Sequence, residues 1–139
     1  MRLKELIRVI ITEEMADVSV FNVDADLFGS HPKIGGKLYE LYTRLSHEKK
    51  TRLKALSKIS KEGVGFRQRK IPGSPSVEAS VRTHLTRAEK RVQLYRDLVK
   101  LLDNPETKEI LKEMILKEKG YVLALRELQT ELNAPEEKK

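Results

Sequence analysis

Apolar positions recur along this chain at steps of three, four and seven, in four separate stretches. That period predicts four amphipathic helices. The first, expected from about Arg2 to Asn22, aligns Leu3, Ile7, Ile10, Val18 and Phe21. The second, from about Gly36 to Lys61, aligns Leu38, Leu41, Leu45, Ala55 and Ile59. The third starts in the Ser76–Glu78 cap region, ends near Leu102, and aligns Val81, Leu85, Val92, Tyr95, Val99 and Leu102. The fourth, ending near Leu132, aligns Leu111, Ile115, Val122, Leu125 and Leu132. Asn104-Pro105-Glu106-Thr107 opens it with a capping side chain, a first-turn proline and an acid.

Loop residues punctuate the pattern. Val23 to Gly36 holds Asp24, Asp26, Gly29, His31, Pro32, Gly35 and Gly36; its acids and histidine read as turn and capping residues. EGVGFRQRKIPGSPS forms a long connection, whereas Asp103 to Pro105 forces the last two helices antiparallel. The expected fold is all-α: an antiparallel four-helix bundle of two helical hairpins joined by a long crossover. One domain spans 1–139, with a frayed tail over about 134–139. A displacement of 70 residues superposes Leu41 on Leu111, Leu45 on Ile115 and Glu48 on Glu118, a faint internal repeat of the hairpin.

Each predicted helix also carries one acid on its apolar line: Glu14 (or its neighbour Glu13), Glu48, Glu89 and Glu118. A buried carboxylate costs several kcal/mol unless it is paired, protonated or metal-bound. Four converging carboxylates would invite hard or borderline cations, the chemistry of carboxylate di-metal sites in helical bundles.

Composition narrows the functional classes. The chain has no cysteine, which excludes disulfides, zinc ribbons, iron–sulfur clusters and a cysteine nucleophile. No apolar run reaches the roughly 20 residues that span a bilayer, so a cytoplasmic protein with no membrane partner is expected. Abundant Glu and Lys suit a heat-stable protein. No Gly-rich phosphate loop or helix-turn-helix signature is present.

The net charge of +7 is concentrated between Lys49 and Lys70, where nine bases face one acid, Glu62. Lys49, Lys50, Arg52, Lys54, Arg67, Arg69 and Lys70 form the candidate anion-binding patch, for an acidic partner or nucleic acid. Phe66 is the block's one aromatic, which argues against a base-stacking platform.

The motifs AEKRVQLYRDL and DNPETKEILKEMILKEKGY make the chain resemble the ferritin-like superfamily, in its rubrerythrin-like branch of short bundles. The family pattern places a glutamate in the first helix of each hairpin, an aromatic about two turns later, and Glu-x-x-His in the second helix. Glu89 with Tyr95 fits, and Glu14 with Phe21 fits more loosely. At both histidine positions the chain departs, with Thr51 after Glu48 and Tyr121 after Glu118. The resemblance implies a degenerate carboxylate site and a binding or interaction protein without robust redox catalysis. Arg52, Arg91 and the Tyr95 and Tyr121 hydroxyls are candidate partners for the acids. The alternative it implies is an Fe- or Mn-binding protein of iron or peroxide handling, with Glu14, Glu48, Glu89, Glu118 and Tyr121 as ligands. Whether the chain is an enzyme stays open. The resemblance also implies a homodimer, for which Leu94, Leu98, Leu101, Leu123 and Leu128 lie off the main stripes.

Overall fold

Each of the four periodic stretches is a helix in the computed structural model of the chain, which describes residues 2–63 and 65–135. They are α1 (Leu3–Phe28), α2 (Gly35–Ser60), α3 (Val77–Leu101) and α4 (Pro105–Asn133). The expected tail lies outside the described residues from Glu136 onward. No strand occurs among the described residues, and no helix there is long and apolar enough to cross a membrane.

The local rules that start α3 and α4 are met. Ser76 Oγ accepts the Ala79 amide, and Asn104 Oδ1 accepts the amides of Glu106 and Thr107. These caps satisfy amide donors that a helix leaves without partners in its first turn. The first hairpin turn is shorter than the sequence suggests, because α1 continues through Asp24 and Asp26 to Phe28. Asp24 is fully buried and held by tertiary hydrogen bonds from Ser74 and Ser80, which outweigh its local preference for a turn.

α1 packs on α2 and α3 on α4, giving two antiparallel hairpins. The hairpins then face each other as α1 on α3 and α2 on α4. Each helix turns a strict three–four repeat inward. On α2 it reads Leu38, Tyr42, Leu45, Lys49, Arg52 and Leu56; on α3 it reads Val77, Val81, His84, Ala88, Arg91, Tyr95 and Leu98. On α1 the repeat includes Ile7, Ile10, Glu14, Asp17, Phe21 and Asp24, and on α4 Leu111, Met114, Glu118, Tyr121, Leu125 and Leu128.

The crossover runs the length of α1. Glu62 accepts from Arg8 at 2.8 Å, Gln68 donates to the Ser19 carbonyl at 3.0 Å, and the Ser74 hydroxyl donates to Asp24 at 2.6 Å.

The core has two apolar clusters. One surrounds Phe21, Leu38, Tyr42, Val81 and Leu125; the other surrounds Ile10, Leu56, Leu98 and Leu111. Between them, the inward repeat of every helix changes from apolar to polar.

Candidate functional site: a buried charged belt

The polar layer is built from Glu14 and Asp17 on α1, Lys49 and Arg52 on α2, Arg91 and Tyr95 on α3, and Glu118 and Tyr121 on α4. Three–four spacing stacks two such residues on the inner face of one helix, so all four helices contribute at the same depth.

Lys49 Nζ lies at the centre. It donates to Glu118 Oε1 at 3.0 Å, Asp17 Oδ2 at 3.1 Å and Glu14 Oε1 at 3.2 Å. An ammonium has three donor hydrogens, and here three carboxylates accept them. Arg52 Nη1 bridges Glu118 Oε1 at 2.5 Å and Glu14 Oε1 at 3.2 Å. Arg91 grips Asp17 with two bonds, Nε to Oδ2 at 2.8 Å and Nη2 to Oδ1 at 2.9 Å. The Tyr95 hydroxyl donates to Glu14 Oε1 at 2.9 Å. At the rim, Arg87 Nε reaches Asp17 Oδ1 at 2.6 Å.

The layer is formally neutral: three buried acids, Glu14, Asp17 and Glu118, balance three buried bases, Lys49, Arg52 and Arg91. Its internal attractions outweigh the cost of burial in the protonation equilibria. Burial would depress the Lys49 pKa, but Glu118, Glu14 and Asp17 hold it above its ordinary value. Burial would raise Asp17, but Lys49 and Arg91 hold it below the usual carboxylate range. Both groups stay charged near neutral pH.

Three buried polar atoms in the belt have no hydrogen-bond partner: Arg52 Nη2, Glu118 Oε2 and the Tyr121 hydroxyl. Glu118 and Tyr121 line a cavity of about 10 Å³ together with Lys49 and His84. That volume suits a single water molecule. Burial raises the Tyr121 pKa, with Arg52 opposing and Glu48 adding to the rise.

One layer further, Asp24 accepts the Ser74 and Ser80 hydroxyls at 2.6 Å each and the Ser74 amide at 3.0 Å. Burial raises the Asp24 pKa, but neighbouring His84 and these hydrogen bonds outweigh it, bringing the pKa down to about 2. His84 is not the surface or partly packed residue its sequence context suggests. It is buried and stacked on Phe21, with ring centroids 3.8 Å apart. Burial lowers its pKa despite Asp24, and it remains neutral.

Of the four glutamates expected to converge, Glu14 and Glu118 do so. Glu48 is half-buried, because Lys49 occupies the inward position next to it. Glu89 is exposed and pairs with Arg126 at 3.3 Å, because Ala88 and Arg91 take the inward places on α3. The faint 70-residue repeat is therefore not a repeat of inward positions, since Glu118 meets Lys49 rather than matching Glu48. Among the described residues, no group of three or more His, Asp or Glu side chains is arranged to hold a metal ion. The donor set does not fit a di-metal centre: an ammonium and a guanidinium already neutralise the carboxylates, and a divalent ion would leave excess positive charge.

The expected partners Arg52, Arg91 and Tyr95 engage the acids; the Tyr121 hydroxyl does not form the expected hydrogen bond. Sequence reasoning missed Asp17 and placed Lys49 on the surface. Both were accessible through the seven-residue spacings from Ile10 to Asp17 and from Tyr42 to Lys49.

The basic block correspondingly divides. Lys49 and Arg52 are interior and leave the surface patch. Lys54, Lys58, Lys61, Arg67, Arg69 and Lys70 are exposed, and Lys50 stacks its ammonium 5.0 Å from the Phe66 ring centre. Lys50, Lys54, Lys58 and Lys61 recur at steps of four, four and three, forming a stripe on one face of α2 beside the crossover. Glu62, the block's acid, is engaged by Arg8.

No protein-family model, curated protein or solved structure matches this chain.

Proposed function

We propose that this chain is a helical interaction protein on a ferritin-like frame, with its carboxylate site closed by its own cations and its binding activity carried by the basic surface. The supporting observation is the division of one basic block into two sets. Lys49 and Arg52 neutralise the interior acids, while Lys54, Lys58, Lys61, Arg67, Arg69 and Lys70 face solvent. Steps of four and three residues separate charges on one helix face by about 5–6 Å along its axis. Such a row suits a polyanion whose phosphates or carboxylates repeat along a strand. The site supports recognition of backbone charge, without base readout.

The test measures binding of a fluorescent single-stranded oligonucleotide over a salt series. Binding is expected to weaken steeply with salt, and a triple Arg67→Gln, Arg69→Gln, Lys70→Gln variant should show a shallower log K against log salt slope. Salt-independent binding, or a triple variant indistinguishable from the parent, counts against the reading. Elemental analysis after incubation with Fe²⁺, Mn²⁺ or Zn²⁺ and desalting tests the closed site. Stoichiometric retention that is lost in Glu118→Gln would instead favour the metal-binding alternative.

A further inference from the structure

α4 presents an outward face that no other helix of the bundle covers. Leu116 at 68 % exposure and Leu123 at 61 % are its most exposed apolar side chains. They are seven residues apart and share one face of the helix. Gly120 lies between them, and a Cβ at this glycine would meet nothing within 4 Å. Helical glycine is disfavoured relative to alanine, yet the bundle supplies no packing reason for it here.

Beside Leu123, a groove of about 720 Å³ separates α4 from α2, with Leu41, Ala124 and Leu128 in its lining. Its rim carries Lys37, Arg44 and Arg126 against Glu40, Glu127 and Glu131, a neutral set on a chain of net charge +7. Lys119 and Glu127 stand four residues before and after Leu123, both exposed and in no ion pair among the described residues.

We propose that two copies of this chain pair through this face, α4 against α4 in antiparallel register, with the two-fold axis at Leu123. Residues equally far before and after Leu123 then lie opposite one another. Lys119 of each copy meets Glu127 of the other, so the axis creates the same ion pair twice. Leu116 of one copy falls at the level of Thr130 of the other, where the groove beside Leu128 receives it. The gap at Gly120 faces the aliphatic stem of Arg126 from the second copy. This is the self-complementarity that a two-fold interface requires, with charges fixing register around an apolar centre. The pairing is independent of the polyanion reading, whose stripe lies on another surface of α2.

Sedimentation equilibrium of the full chain over a wide concentration range tests it. The parent is expected to show a concentration-dependent monomer–dimer equilibrium, and Leu123→Glu to weaken it at least about 100-fold. Lys119→Glu and Glu127→Lys should each weaken it about tenfold by opposing like charges across the axis. The double swap Lys119→Glu, Glu127→Lys should restore it. Circular dichroism checks that these exposed substitutions leave the helices intact. A parent monomeric at all concentrations overturns the proposal, as does a dimer indifferent to Leu123→Glu. A double swap as weak as the single reversals also overturns it.

Discussion

Lys49 on α2 and Glu118 on α4 meet at 3.0 Å inside the bundle, with both side chains essentially inaccessible to water. The contact joins the two hairpins, and the same ammonium also binds Glu14 and Asp17 on α1. Removing Lys49 would leave three buried carboxylates with only Arg52 and Arg91 as buried cations.

Lys49→Met is therefore expected to destabilise the fold by about 3–5 kcal/mol in urea unfolding, the usual cost of stranding a buried charge. Adding Glu118→Gln should recover part of that loss. Lys49→Met should also gain thermal stability with Mn²⁺, which the parent should not, because the liberated carboxylates can bind a cation. Parent-like stability together with no response to Mn²⁺ would show that Lys49 does not hold the acids.

Asp24 governs the acid limb of stability. Its folded pKa of about 2 lies below its ordinary value of 3.8. Its contribution is therefore complete above about pH 4 and disappears as pH falls toward 2, amounting to about 2 kcal/mol. Unfolding free energies measured across this window should decline in the parent, and decline less in Asp24→Asn. Equal slopes would remove Asp24 from the account.

The two belt tyrosines should behave differently. Tyr95→Phe deletes a hydroxyl bonded to the buried Glu14 carboxylate and should cost about 1.5–3 kcal/mol. Tyr121→Phe deletes a hydroxyl with no partner and retains the ring 5.3 Å from the Arg52 guanidinium. It should be neutral within about 0.5 kcal/mol or stabilising. Chemical denaturation of both variants makes the comparison, and equal losses would refute it.

Adjacent glycines at the start of α2 give another opposed pair. A Cβ on Gly35 would come within 2.5 Å of the Gly29 carbonyl oxygen, which is backbone and cannot swing aside. Gly35→Ala should cost about 1–3 kcal/mol through overpacking. Gly36 has open space around it, and Gly36→Ala should stabilise by up to about 1 kcal/mol. Urea midpoints that move in the same direction would contradict this.

The chemistry of the belt was only half legible along the chain. Glu14 and Glu118 stand on clear apolar lines, and Arg52, Arg91 and Tyr95 were readable as partners. Glu48 and Glu89 were assigned inward because a carboxylate near an apolar stripe resembles one on it, although one residue changes direction by about 100°. Lys49 appeared to belong to a basic surface run, since nothing local distinguishes a solvated lysine from one with three carboxylates waiting. Leu98 and Leu128, taken as off-stripe, are buried in the core, while Leu123 is exposed.

The sequence by itself determined the four helices, their caps at Ser76 and Asn104, and their division into two hairpins. Those features follow from periodicity, capping chemistry and connection length, all of which act over a few residues. Only the tertiary structure decided which charges are interior. Burial of Lys49 becomes acceptable when Glu14, Asp17 and Glu118 arrive from two other helices, and carboxylate burial requires that cation in return. It also decided that α1 continues through Asp24, because the compensating hydroxyls come from Ser74 and Ser80, about fifty residues away.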